Sequence, residues 1–244
     1  MNVLECFNYN NRELDLASIT KKTELNRTTA RRLINHLLSR DYLAYDQETR
    51  RYRLGLKLFE LGGVVMSSIS LRKVAAPHLT ELRNSTGYTV FLGTGHDERL
   101  LYLDMRAAKG PFRFSSNIGT IRPLHYGMLG IVIMAYLPRS EQEKILDEQP
   151  LVHHVPNSIT DRDQFSLILA KTKEKGYLVE KELVVEGFAG IAAPVRDHTR
   201  RVVAALGLAV PIVVLDDPVR RKSLIKDVTA TANSISHDLG YLSI

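Results

Sequence analysis

Asn26, Arg27, Thr28, Thr29, Arg31, Arg32 and Asn35 place three guanidinium groups, two carboxamides and two hydroxyls within ten residues. Arginine pairs its fork with guanine and asparagine pairs its amide with adenine, and both can also reach phosphates. This is recognition chemistry, with no nucleophile or acid–base pair in it. A second cluster, Arg50, Arg51 and Arg53, follows closely. Residues 21–57 hold ten basic and four acidic side chains, so this stretch accounts for the whole formal charge of +6 and the remainder is neutral. A basic footprint on a neutral body is the pattern of a small nucleic-acid-binding module.

Local periodicity supplies elements that would position these groups. Met1–Phe7 reads as a short helix with Val3, Leu4 and Phe7 on one side. Asp15 can cap a second helix, Leu16–Thr23, by accepting orphan backbone N–H groups. Asn26 can cap a third, running to about Arg40. There Ala30, Leu33, Ile34, Leu37 and Leu38 form an amphipathic stripe, and Thr28, Arg32 and Asn35 face the other way. Tyr42–Tyr45 and Arg51–Leu54 flank the polar run Asp46–Arg50, the pattern of a hairpin. Two helices joined by a tight turn, then a basic hairpin, describe a winged helix-turn-helix docked in the major groove.

Other signals for chemistry are weak. The chain has one cysteine, Cys6, so an internal disulfide or a cysteine metal cluster is impossible. His153-His154 lacks a third ligand at a usable spacing. Gly93-Thr94-Gly95 has neither the third glycine of a dinucleotide fold nor a P-loop lysine, and reads as a turn. No Gly-x-Ser-x-Gly elbow is present. No catalytic residue, metal or cofactor is expected. The start lacks a secretory pattern. The apolar runs fall short of the ~20 residues of a membrane span, so a soluble cytoplasmic protein is expected.

The runs Leu16-Ala17-Ser18-Ile19, Asn26–Leu33, Tyr52-Arg53-Leu54-Gly55 and Leu61-Gly62 resemble the IclR-type bacterial transcriptional regulators. The resemblance continues through Gly119–Tyr136, with Arg122-Pro123-Leu124-His125 and Gly130, and through Glu182–Val195. It implies an α+β protein: a winged helix-turn-helix at residues 1–55, a linker helix at 56–70 and a GAF/profilin-like α/β effector domain at 71–244. It further implies a dimer or tetramer on a palindromic double-stranded operator, acting as repressor or activator. Its effector would be a small organic acid or an aromatic molecule. The linker's apolar residues, Leu56, Leu58, Phe59, Leu61, Val64, Val65, Met66 and Ile69, fit a dimer seam as well as packing on the chain's own domains. Family members often carry more residues before the first helix, which bears on that helix's part in dimerisation.

The resemblance places the effector beside Met128, Leu129 and Gly130, the segment holding Glu180, Phe188 and Gly190, and the strand holding Gly207 and Ala209. Gly190 stands where relatives often have cysteine, Gly207 and Ala209 where some have small hydroxyl residues, and Ile131 where lysine is common. Three fewer polar side chains suggest a larger or less polar effector than a two- or three-carbon keto acid. These glycines and alanines could equally serve close packing. In this half the sequence suggests helices at Leu71–Ser85 (with a kink or restart at Pro77), Leu124–Leu137, about Asp161 to Lys175, and Asp217–Leu239. Strands are expected at Thr89–Leu92, Leu100–Met105, Phe112–Ser115, Gly190–Val195 and Val202–Val210. Two rival readings are an enzyme with a basic N-terminal appendage and an architectural DNA binder without an effector.

Overall fold

The computed structural model describes residues 2–8, 11–61, 71–108, 118–153 and 155–242. The chain divides into two compact units, Met1–Ile69 and Ser70–Ile244.

The first unit opens with α1 (Asn2–Glu5), β1 (Glu13–Leu14) and α2 (Leu16–Thr23), then α3 (Arg27–Leu38). The hairpin β2 (Leu43–Asp46) and β3 (Arg51–Leu54) follows, and residues 56–61 form α4. Asp15 accepts the Ser18 N–H at 2.7 Å and Asn26 the Thr29 N–H at 2.8 Å, so both caps act as the sequence suggests. Val3, Phe7, Leu14, Ile19, Ile34 and Leu43 form the core. The sequence reading missed β1, which pairs with β3 and widens the hairpin to three strands in the order β1-β3-β2. Two residues are too few for an alternating pattern to register. Leu33, assigned to the inward stripe, is 38% exposed. It lies at the rim, because Ala30 and Ile34 already fill the contact with α2.

The second unit carries α5 (Leu71–Thr86), β4 (Thr89–His96), β5 (Arg99–Arg106), β6 (Ile121–Pro123), α6 (Gly127–Ala135) and α7 (Arg139–Glu148). After them come α8 (Arg162–Lys175), β7 (Leu178–Lys181), β8 (Phe188–Arg196), β9 (Val202–Pro211), a short 3₁₀ turn and α9 (Pro218–Asp238). The strands form one antiparallel sheet in the order β6-β5-β4-β9-β8-β7. Helix α6 packs on β4, β8 and β9 and beside α8, while α9 packs on β8 and against α5. Covered in this way, Ala189–Val195 and Ala204–Ala209 are buried without a break, which explains apolar runs in place of alternation. Helix α6, Gly-Met-Leu-Gly-Ile-Val-Ile-Met-Ala, is apolar all round because it is enclosed: Leu129 to Ala135 are all buried.

Several expectations change. Gly93-Thr94-Gly95 lies inside β4 and is not a turn. The ladder bulges between Leu92 and Gly93, Gly93 lies against Leu100 and Leu129, and Thr94 Oγ1 donates to the Val203 carbonyl at 2.7 Å. Pro77 sits within a continuous α5. Helix α6 starts three residues later than expected, after a turn through Leu124 and His125. Helix α7 buries only Ile145 and Leu146 and has no side-chain cap, too little pattern to read. The expected strand Phe112–Ser115 and the linker beyond Leu61 lie outside the described residues.

Candidate DNA interface and effector cavity

The stripe that buries Ala30 and Ile34 turns the opposite side of α3 to solvent. Arg27, Thr28, Arg31, Arg32 and Asn35 are exposed there, Thr29 is half-buried, and none of the three arginines has an ion pair among the described residues. Asn26 is exposed, but its Oδ1 is engaged by the Thr29 N–H, which leaves only its amide nitrogen to reach outward. The positive end of the helix dipole and the exposed arginines therefore add charge of the same sign at this end of α3.

In the hairpin, Asp46 Oδ1 accepts the N–H groups of Glu48 and Thr49 at 2.8 and 3.1 Å. Those bonds hold its carboxyl below the ordinary range. Arg50 takes the left-handed conformation at φ 55°. Alternation along β3 sends Arg51 and Arg53 to one side, both exposed, and half-buried Tyr52 to the core. Tyr45 and Tyr52 brace the strands with ring centroids 4.8 Å apart. The hairpin thus offers three arginines on a stiff support.

In the second unit, Met128, Glu180, Phe188, Gly190 and Ala209 line one cavity of about 30 Å³. The sequence reading missed the other walls: Phe91, Tyr102, Tyr126 and the turn bearing Val184 and Val185. Aromatic residues spread over three elements leave no local pattern. Leu129, Gly130 and Gly207 stand behind the wall. Leu129 belongs to the core. A Cβ on Gly130 would overlap the Leu124 carbonyl oxygen. A Cβ on Gly207 would come within 2.7 Å of Leu129 Cδ2 and 2.9 Å of Met128 Cε. The room expected from the small residues is not open, because the Met128 thioether fills it. A Cβ on Gly190 would lie 2.5 Å from Met128 Sδ and 2.6 Å from Glu180 Oε1.

Glu180 is the one carboxylate among the described lining residues. Its Oε2 accepts the Leu183 N–H at 3.0 Å. Burial pushes its pKa up to about 7, against a smaller opposing effect of that bond. Burial likewise drives Tyr102 up to about 12. The turn from Glu182 to Gly187 closes the cavity. Glu182 Oε1 accepts the Gly187 N–H at 2.8 Å, its Oε2 accepts from Asn157 Nδ2 at 3.0 Å, and Ser158 Oγ donates to the Leu183 carbonyl at 3.3 Å. A larger groove, about 390 Å³, runs along α8, β7 and α9 past Lys171, Lys175 and Arg221, and contains none of the expected residues. Among the described residues no three His, Cys, Asp or Glu side chains converge as a metal site. His153 lies exposed in a loop, His154 is outside the described residues, and Cys6 is buried, its thiol pushed up by desolvation.

Residues 1–47 match the IclR helix-turn-helix domain, and residues 63–237 match the family described as bacterial transcriptional regulator IclR C-terminal. The chain belongs to the IclR family of bacterial transcriptional regulators. It is similar to the HTH-type transcriptional regulator XynR of Escherichia coli, with 31% identity over 99% of this chain and 95% of that one. The repressor BlcR of Agobacterium tumefaciens has the same fold, with a TM-score of 0.83 at 22% identity over 99% and 95% of the two chains. An IclR homolog from Microbacterium hydrocarbonoxydans, solved with 4-hydroxybenzoate, aligns with a TM-score of 0.63 at 24% identity over 98% and 96%. As an IclR-type protein the chain is a DNA-binding transcriptional regulator, and the enzyme reading is set aside. Among the described residues no helix is long and apolar enough to cross a membrane.

Proposed function

We propose that α3 reads an operator in the major groove and the β2–β3 hairpin grips its flanking phosphates, under control of a small organic molecule held in the Glu180 cavity. Residues 1–55 are then the DNA-binding part, 56–70 the linker and 71–244 the effector-binding part of an intracellular protein. The observation that carries this reading is the outward row Arg27, Thr28, Arg31, Arg32 and Asn35, without ion pairs among the described residues and standing on a capped helix whose other face is buried. Arg32 and Asn35 are the base readers, Arg27 and Arg31 flank them, and Asn26 and Thr29 set the N-terminal turn that approaches the backbone. Arg50, Arg51 and Arg53 position the protein without specifying sequence.

The protein acts as a homo-oligomer on a palindromic site. In support, Leu56 and Phe59 on α4 are 80% and 81% exposed, more apolar surface than a helix leaves to water without a partner. The effector is aromatic or otherwise largely apolar, as rings from Phe91, Tyr102, Tyr126 and Phe188 suggest. A small acid would need Glu180 to carry its proton. Leu129, Gly130 and Gly207 support the wall from behind. At about 30 Å³ the cavity holds little more than one water, so binding requires the Glu182–Gly187 turn or Met128 to move.

Retardation of a duplex from upstream of the gene tests the first half. Arg32→Ala is expected to weaken specific binding by ~1–3 kcal/mol and to leave binding to random duplex nearly unchanged. Equal loss on both duplexes would assign Arg32 to phosphate, and no loss on either would remove α3 from the interface.

A further inference from the structure

Glu180 lines the cavity with one of its two carboxyl oxygens unused among the described residues. Oε2 takes the Leu183 N–H, and among the described residues Oε1 receives nothing. Oε1 lies beside Gly190, another lining residue, where an added Cβ would come within 2.6 Å of it. No lysine, arginine or histidine is among the described lining residues. The surrounding elements offer no substitute. Helix α6 and β9 have no titratable side chain, β8 has only Arg196 and β4 only His96, each at its far end; β7 adds Lys181, paired with Asp216 at 3.2 Å, and β5 adds Arg99, Asp104 and Arg106, the last bonded to Asp104 at 2.6 Å. Tyr102 and Tyr126 stand in the wall, and Arg122 lies over the Tyr126 ring at 5.7 Å, exposed. Glu182, two residues on, spends both oxygens on Gly187 and Asn157.

A ligand carboxylate entering here meets a second acid and no described counter-ion, an arrangement in which one of the two must stay protonated. A ligand donor, in contrast, completes the valence of Oε1 and compensates a charge that is costly to leave buried and unpaired. We propose that the cavity takes an organic ligand that presents a hydroxyl or ammonium donor to Glu180 Oε1, and that Glu180 is ionised in the complex. This deepens the reading of the cavity as the effector site and rests on it.

The proton balance follows. In the empty cavity desolvation keeps the Glu180 carboxyl largely protonated up to about pH 7. A donor bonded to the carboxylate favours the ionised form, so below that pH one proton leaves Glu180 for the buffer as the ligand binds. Affinity therefore rises with pH and levels off above 7. A carboxylate ligand would show the opposite slope, since it needs the protonated acid.

The test uses the full chain and three one-ring probes: benzyl alcohol, benzylamine and benzoate. Thermal shift and calorimetry at pH 6 and pH 8, in buffers of unequal ionisation heat, read affinity and proton release together. At least one donor probe is expected to bind about tenfold more tightly at pH 8 than at pH 6, with proton release at pH 6. Glu180→Gln should erase the pH dependence while its unfolding midpoint stays at or above wild type, and Gly190→Ala, which crowds Oε1, should weaken the same probe. Equal donor affinity at both pH values, or no shift with either donor probe, overturns the proposal. Benzoate binding that tightens toward pH 6 and needs Glu180 overturns it as well and leaves the effector reading standing. If none of the three probes binds while operator retardation persists, the effector reading of this cavity falls with it.

Discussion

The two sites hold charge in opposite ways. On α3 and the hairpin, six arginines stand in water, where each costs little to keep ionised. In the second unit a single carboxyl sits against Phe91, Met128 and Phe188 with one N–H for company, and its ionisation is opposed by its surroundings. Exposed charge suits a partner that carries its own high charge density. Desolvated charge suits a small molecule that must be chosen by one or two polar contacts. The first site should therefore answer to salt and the second to pH.

Salt gives the largest expected contrast. If the five arginines other than Arg32 meet phosphates, operator affinity should fall roughly 500-fold between 50 and 200 mM salt, with ligand affinity nearly constant over the same range. Fluorescence anisotropy for DNA and calorimetry for the ligand check this. A ligand affinity as steep as that of DNA would erase the contrast.

Next is pH. The folded-state pKa of Glu180, about 7, lies above its ordinary 4.5, so the folded protein binds the proton more tightly than the unfolded chain does. Stability from this group is thus greatest below 4.5, declines as pH rises to 7 and is level above. Glu180→Gln should remove that decline and stabilise the second unit above pH 7 by up to ~3 kcal/mol. Urea midpoints at pH 5 and pH 8 measure the difference, and parallel pH curves for the two proteins would show that Glu180 is not desolvated.

Smaller effects separate support from contact. Gly130→Ala forces a methyl onto the Leu124 carbonyl and should cost ~1–3 kcal/mol of stability in the second unit with no change in intrinsic DNA affinity. Asn26→Ala removes the α3 cap and should cost ~1 kcal/mol. A DNA loss well beyond that amount would mean its free amide nitrogen also touches the duplex.

The first unit was readable almost to the residue because its signals are local. A cap, a stripe and a hairpin turn each lie within a dozen positions, and Asp15, Asn26 and Asp46 make the bonds their types suggest. The cavity was readable only through resemblance. Its walls come from β4, β5, β7, β8, β9 and the turn before α6, and Phe91, Tyr102 and Val184 have no neighbour in sequence that betrays their shared role. Side-chain volume misled for the same reason. Gly190, Gly207 and Ala209 suggest space, but the flexible Met128 side chain, which spacing does not reveal, occupies it. Gly93 reads as a turn but lies in β4, where Leu100 and Leu129 press on that glycine from distant elements.

The most direct measurement is amide hydrogen exchange on the full chain with and without the upstream duplex. Slowed exchange confined to residues 27–35 and 50–53, with 127–135 unchanged, is the predicted result. Exchange across 27–35 that is the same with and without a bound duplex would contradict the account.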